Sequence, residues 1–169
     1  MKKILMVIAP NKFRDEEFNI PKATFENNDI GIDIASHEVH EATGMFGAKA
    51  KITYNLTDIN VNDYNAIVFV GGIGVENYKT YNNPDYLNLA KDAANANKII
   101  AAICLAPMIL ANAKLLDGKN ATVFESAKEF IIERGAKYTN KQVVQDGNII
   151  TGNGPNAAKE FAEMIVKAI

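Results

Sequence analysis

The 169-residue chain holds a single cysteine, and it stands in the segment most suited to chemistry, K-I-I-A-A-I-C-L-A-P-M-I-L from Lys98 to Leu110. An aliphatic run ends on Cys104, and a helical pattern opens soon afterwards at Pro107. A strand-to-helix turn of this kind is a nucleophile elbow, which exposes the reactive side chain at the top of the sheet. The positions two before and two after the nucleophile must be small for the turn to close; they are Ala102 and Ala106. Pro107 suits the first turn of a helix, where an N–H would have no partner. A helix starting there aims its amides and its positive end at the sulfur, which predicts a thiol pKa below the ordinary value. A buried structural cysteine fits the same segment, because a lone Cys also packs as a small hydrophobe.

A second cluster favours the reactive reading. Gly71-Gly72-Ile73-Gly74 follows the apolar run Ala66 to Val70. Glycines there let backbone N–H groups approach a ligand or a developing oxyanion. The segment lacks the third glycine of a dinucleotide fingerprint and the Gly-Lys-Ser/Thr of a P-loop. The third piece is Asp15-Glu16-Glu17, at the start of a helical pattern. Asp15 and Glu16 read as complements to the helix dipole. Glu17 differs, because apolar Phe18, Ile20 and Pro21 follow it. Its carboxyl is expected to point inward, toward the strand ends, and to share a proton with the thiol.

The remaining candidates are weaker. His37 and His40 are the only two histidines. They follow a strand and read as surface residues, and a structural zinc needs four ligands, so no metal site and no cofactor are expected. Tyr78, Tyr81 and Tyr86 lie just beyond the glycine turn and read as packing residues.

The elements that must position these groups alternate. Short apolar runs at Lys3 to Ala9, Ile30 to Ala35, Ala66 to Val70 and Ile99 to Ile103 read as strands. Lys49 to Tyr54 alternates polar and apolar, and Ala121 to Phe124 reads as one more strand. Helical patterns cover Glu16 to Asn28, Pro84 to Ala96, Pro107 to Ala113 and Ala157 to Ile169. Another covers Ser126 to Arg134, with Ser126 as N-cap and Glu129 three residues on. Val143-Val144 and Ile149-Ile150, joined at Asp146-Gly147, read as a hairpin. Strand-helix alternation predicts an α/β fold: a three-layer α/β/α sandwich on a mostly parallel, flavodoxin-like sheet. Ligands in such folds sit at the carboxyl ends of the strands, so the loops after Ala9, Val70, Ile103 and Thr151 should converge.

Composition sets the outer limits. At 48% hydrophobic, 22% charged and net charge −2, residues 1–169 fit one globular domain and exclude disorder. No basic run is present, so nucleic acid is not an expected partner. The apolar stretch Ile99 to Ala111 is broken by Pro107 and falls short of the roughly 20 residues that span a bilayer. No membrane association is expected. One cysteine allows no internal disulfide, which points to a reducing, cytoplasmic compartment.

Taken together, E-F-N-I-P (Glu17 to Pro21), V-F-V-G-G (Val68 to Gly72), A-A-I-C-L-A-P (Ala101 to Pro107), V-Q-D-G-N-I-I-T (Val144 to Thr151) and N-G-P (Asn153 to Pro155) resemble the ThiJ/PfpI superfamily. That superfamily includes Parkinson disease protein seven and the PfpI-type intracellular proteases, on a class I glutamine amidotransferase-like fold. The resemblance implies Cys104 as the reactive cysteine and Glu17 as its buried carboxyl partner. It implies an oxyanion hole from the N–H groups of Gly72 and Leu105. It further implies a pocket bordered by Gly71, Ile73, Ala106, Asn153, Gly154 and Pro155, and a homodimer or higher homo-oligomer. The chain departs from the pattern at Leu105, where PfpI-type proteases carry histidine, and at Asn153, often arginine. Phe124 stands where glyoxal-converting members often have histidine. The leading expectation is a glyoxalase III or deglycase-like enzyme acting on small reactive carbonyls. An oxidisable, non-catalytic redox sensor or stress-protective protein is the alternative. A PfpI-like peptidase or amidase acting on a peptide-like substrate is third, because the adjacent imidazole of a Cys–His pair is missing.

Overall fold

The computed structural model describes all 169 residues, Met1–Ile169. In chain order the elements are β1 (Lys3–Val7), α1 (Asp15–Glu26), β2 (Gly31–Ser36), β3 (Glu41–Thr43), β4 (Lys49–Lys51) and β5 (Tyr54–Asn55). Then come β6 (Ala66–Phe69), α2 (Gly74–Asn77), α3 (Pro84–Asn95), β7 (Ile99–Ile103) and α4 (Pro107–Asn112). The chain closes with β8 (Asn120–Ala121), α5 (Lys128–Ile132), β9 (Lys137–Tyr138), β10 (Val143–Asp146), β11 (Ile149–Gly152) and α6 (Ala158–Ala168).

Seven strands form one sheet in the order β10-β11-β7-β6-β1-β2-β5, parallel throughout except for β10. The run β2-β1-β6-β7-β11 is the flavodoxin-like order, in which the chain reverses direction between the strands here called β1 and β6. β1, β6 and β7 are aliphatic because helices cover both faces, and nearly all their side chains are fully buried. α1 and α6 pack together and α3 packs with α4, completing three layers. α6 presents Ala158, Phe161, Ala162 and Ile165 to the core at helical spacing. No helix is long and apolar enough to cross a membrane.

Three local expectations change. Lys49 to Tyr54 is not one strand: β4 pairs with β3 in a separate hairpin, and only Tyr54–Asn55 joins the main sheet. Ala121 to Phe124 contributes only Asn120–Ala121 to a strand, paired with β9 outside the main sheet. Thr122 leaves the ladder because its N–H donates to the Thr151 hydroxyl (2.9 Å). Ser126 is no N-cap; it lies inside a 3-10 turn, Glu125–Ala127, and α5 starts at Lys128 without a side-chain cap.

Tyr86 is core, as its packing role requires. Its hydroxyl donates to the Ile8 carbonyl (2.8 Å) beside the Ser36 hydroxyl (3.4 Å). Burial pushes its phenol pKa up to about 12.

Candidate functional site

The site lies where the sheet reverses, at the carboxyl ends of β1, β6 and β7. Cys104 follows β7 directly and adopts φ 63°, the left-handed conformation that a non-glycine residue holds only when its surroundings impose it. Two backbone hydrogen bonds impose it. The Cys104 N–H donates to the Gly152 carbonyl (2.9 Å), and the Cys104 carbonyl accepts from the Phe124 N–H (2.9 Å). α4 then starts at Pro107, as the elbow reading predicts.

Glu17 comes from the first turn of α1 and is completely buried. Pro21, inside the same helix, has no N–H to offer the carbonyl four residues earlier, which is that of Glu17. The Glu17 carboxyl faces the Cys104 thiol and the Gly71 N–H, and neither approach reaches full hydrogen-bond geometry. Gly71 closes the third side. A methyl group on it would stand 2.5 Å from Cys104 Cβ, Glu17 Oε2 and the Ile103 carbonyl. Only glycine lets β6 come this close to both groups. The N–H groups of Gly72 and Leu105 face the sulfur and favour its anion.

The electrostatics reverse one expectation. Burial raises the thiol pKa, the Glu17 carboxyl beside it raises it further, and the two amides offset only part of this. α4, behind the sulfur, is short and spans only six residues. Burial also pushes the Glu17 pKa up to about 8, against the lowering influence of Cys104, Arg14 and the Gly71 N–H. Near neutral pH both groups therefore keep their protons, and the site is a neutral thiol–carboxylic acid pair.

The other predicted residues separate into two groups. Asn153, Gly154 and Pro155 line a cavity of about 280 Å³ together with Phe124. Both its walls are tied to the Cys104 peptide through Phe124 and Gly152, as above. Cys104 itself is only 6% exposed and is not on the lining of this cavity. Ala106 is fully buried and does not line this cavity. Ile73 belongs to a different cavity, beside Met45 and Lys12. Gly72 and Gly74 accommodate backbone: a methyl group would stand 2.4 Å from Arg14 N on the former and 2.1 Å from the Asn11 carbonyl on the latter. The convergence of the loops after β1, β6, β7 and β11 is thus observed, held partly by the Arg14 N–H donating to the Gly71 carbonyl (2.9 Å).

The acidic triplet divides its work. Asp15 is not merely a dipole complement: its carboxylate accepts the N–H groups of Phe46 (2.9 Å) and Ala48 (2.7 Å), pinning the β3–β4 hairpin to α1. Glu16 accepts from Arg14 through both oxygens (2.8 and 3.1 Å). Arg14 stacks on Phe46, 4.7 Å from the ring centroid, and its charge reaches both Glu17 and Cys104. Sequence reading missed Arg14 and Phe46; the cation directly before three acids was the one available signal. Neither histidine joins the cavity beside the elbow. His37 Nδ1 lies 2.9 Å from Asp85 Oδ2, and His40 borders a separate cavity with Glu38 and Tyr54. No cluster of three or more His, Cys, Asp or Glu side chains is arranged to hold a metal ion.

A cysteine held in a left-handed elbow on a flavodoxin-like sheet, with a carboxyl from α1 against it, defines an α/β protein built around a buried thiol–carboxyl pair. The chain belongs to the DJ-1/PfpI family, whose profile matches residues 2–168. It is 45% identical to an uncharacterized protein of Methanocaldococcus jannaschii over 99% of this chain and 82% of that one. It is 29% identical to the Pyrococcus horikoshii protein named Deglycase PH1704, over 99% of both chains. Among solved structures, a ThiJ/PfpI domain protein from Brachyspira murdochii superposes with TM-score 0.95 at 31% identity, covering 98% of this chain and 95% of that one.

Proposed function

We propose that the protein converts small 2-oxoaldehydes into 2-hydroxy acids, a reaction of the glyoxalase III or deglycase type, through Cys104 and Glu17. The observation that carries this reading is the neutral thiol–carboxylic acid pair facing two backbone amides. In the first step the sulfur adds to the aldehyde carbon. The π pair of the carbonyl moves to oxygen, which takes the Glu17 proton while the other carboxyl oxygen accepts the thiol proton. Glu17 ends as it began, so no free thiolate is needed. The N–H groups of Gly72 and Leu105 steady the oxygen as charge develops. Glu17 then relays the proton of the aldehyde carbon to its neighbour through an enediol. The product is a thioester of a 2-hydroxy acid, and water hydrolyses it. The redox change is internal to the substrate, so no external oxidant enters.

The name Deglycase PH1704 on a relative of nearly equal length supports this reading at the level of chemistry. The peptidase reading lacks a base, since Leu105 follows the cysteine, His37 sits against Asp85 and His40 borders a separate cavity. The redox reading is weakened by the same burial that favours the neutral pair, because peroxide attack follows thiolate character and exposure. Steady-state turnover of methylglyoxal tests the role of Glu17. Glu17→Ala should lower kcat by about 100-fold or more, in the range of a lost general acid. Unchanged turnover removes Glu17 from the reaction.

A further inference from the structure

The cavity beside the elbow has a chemical character that the reaction above does not use. Five polar side chains surround it: Glu125, Tyr138, Asn140, Asn153 and Asn156. None of the five donates or accepts a side-chain hydrogen bond within the protein, although the side chains of several surface asparagines, such as Asn60, Asn83 and Asn120, do so. Three amides and a phenol offer donors and acceptors together, which is what neighbouring hydroxyl groups require. Phe124 adds an apolar face at the same rim, 42% exposed. No lysine or arginine lines the cavity, although Lys128 Nζ stands 5.0 Å from the centroid of the Tyr138 ring, and the one carboxyl group on the lining is Glu125. At about 280 Å³ it lies just below the usual range of ligand sites, which starts at roughly 300 Å³, and suits part of a small ligand.

We propose that this cavity is a subsite for the hydroxylated tail of the substrate, so that the preferred class is sugar-derived 2-oxoaldehydes, the osones. The inference rests on the proposed Cys104 chemistry for the reacting end. The tail subsite itself stands on the unspent amides. The backbone hydrogen bonds of Phe124 and Gly152 hold the cavity's Phe124 and Asn153 segments against the Cys104 peptide, and in the proposed binding mode the aldehyde stands at the sulfur and the hydroxyl groups in the cavity. The amides then favour an aldehyde with a hydroxylated tail over methylglyoxal, which has no tail to bind them and gains none of their hydrogen bonds.

The test has two arms. Saturation-transfer NMR follows xylitol, an unreactive polyol, on wild-type protein and on Asn140→Leu. Kinetics compare kcat/KM for glucosone and for methylglyoxal on the same proteins and on Asn153→Leu. The expected result is xylitol contact that Asn140→Leu weakens, and a glucosone preference of at least about tenfold that falls about tenfold in either variant. Xylitol contact without turnover of either aldehyde would support the subsite while overturning the reaction proposed for Cys104. Equal kcat/KM for the two aldehydes with no xylitol contact would overturn the subsite and leave the reaction standing. Contact with N-acetylglycinamide in place of xylitol would overturn it also, in favour of a peptide-like ligand.

Discussion

Replacing Glu17 by glutamine removes a titratable group and keeps its shape, and the pH dependence of stability reads the result. The folded carboxyl holds its proton up to about pH 8, whereas the ordinary value is 4.5. Between those values the folded state binds more protons than the unfolded state, so stability falls as pH rises. The group's favourable contribution is complete below pH 4.5 and is lost progressively by pH 8. Glutamine has no such loss. The stability of Glu17→Gln minus that of wild type should therefore increase by about 1.4 kcal/mol per pH unit above pH 4.5. At pH 7 the gain amounts to about 3 kcal/mol, which for a chain of this size is about 6–12 °C in Tm. It should level off above pH 8. Urea unfolding of both proteins at pH 5, 6, 7 and 8 measures the difference directly, and other titrating groups cancel in it. A difference that stays constant would mean that folding does not raise the Glu17 pKa, and one that falls with pH would mean that the folded site stabilises the carboxylate; either result would end the neutral-pair account.

Two other substitutions test the packing around the pair. Gly71→Ala places a methyl group against Cys104, Glu17 and the Ile103 carbonyl; it should destabilise by about 1–3 kcal/mol in urea and abolish turnover, and a fully active variant would show that the three groups need not touch. Asp15→Asn weakens two charge-assisted hydrogen bonds to the hairpin and should cost about 2 kcal/mol. Amide exchange should quicken specifically at Phe46 and Ala48, and unchanged exchange there would remove Asp15 as the anchor.

What the sequence made legible is local. The elbow can be read because strand, cysteine, small residues and proline lie within ten positions, and the Glu17–Pro21 spacing is likewise contained in one helix. The sheet order follows from buried aliphatic runs joined by helical crossovers. The parts that were not legible depend on distant partners. Asp15 holds amides more than thirty positions away, so local pattern shows only an acid at a helix start. Thr122 leaves its strand for a hydroxyl on β11. The thiol pKa was misjudged for a related reason: the short helix behind Cys104 and the carboxyl of Glu17 are both legible in sequence, while the depth of burial that raises the thiol pKa emerges only when β6, β7 and α1 meet. The five unspent polar groups at the cavity come from three separate segments, and no spacing rule joins them.

The central claim is that Cys104 turns over carbonyl compounds. The most direct test is to incubate purified protein with methylglyoxal and quantify lactate by NMR, for wild type and for Cys104→Ser. The account predicts stoichiometric conversion over many turnovers in wild type and background conversion in the serine variant. Equal lactate production by both, or none by wild type under conditions where the fold is intact, would contradict it.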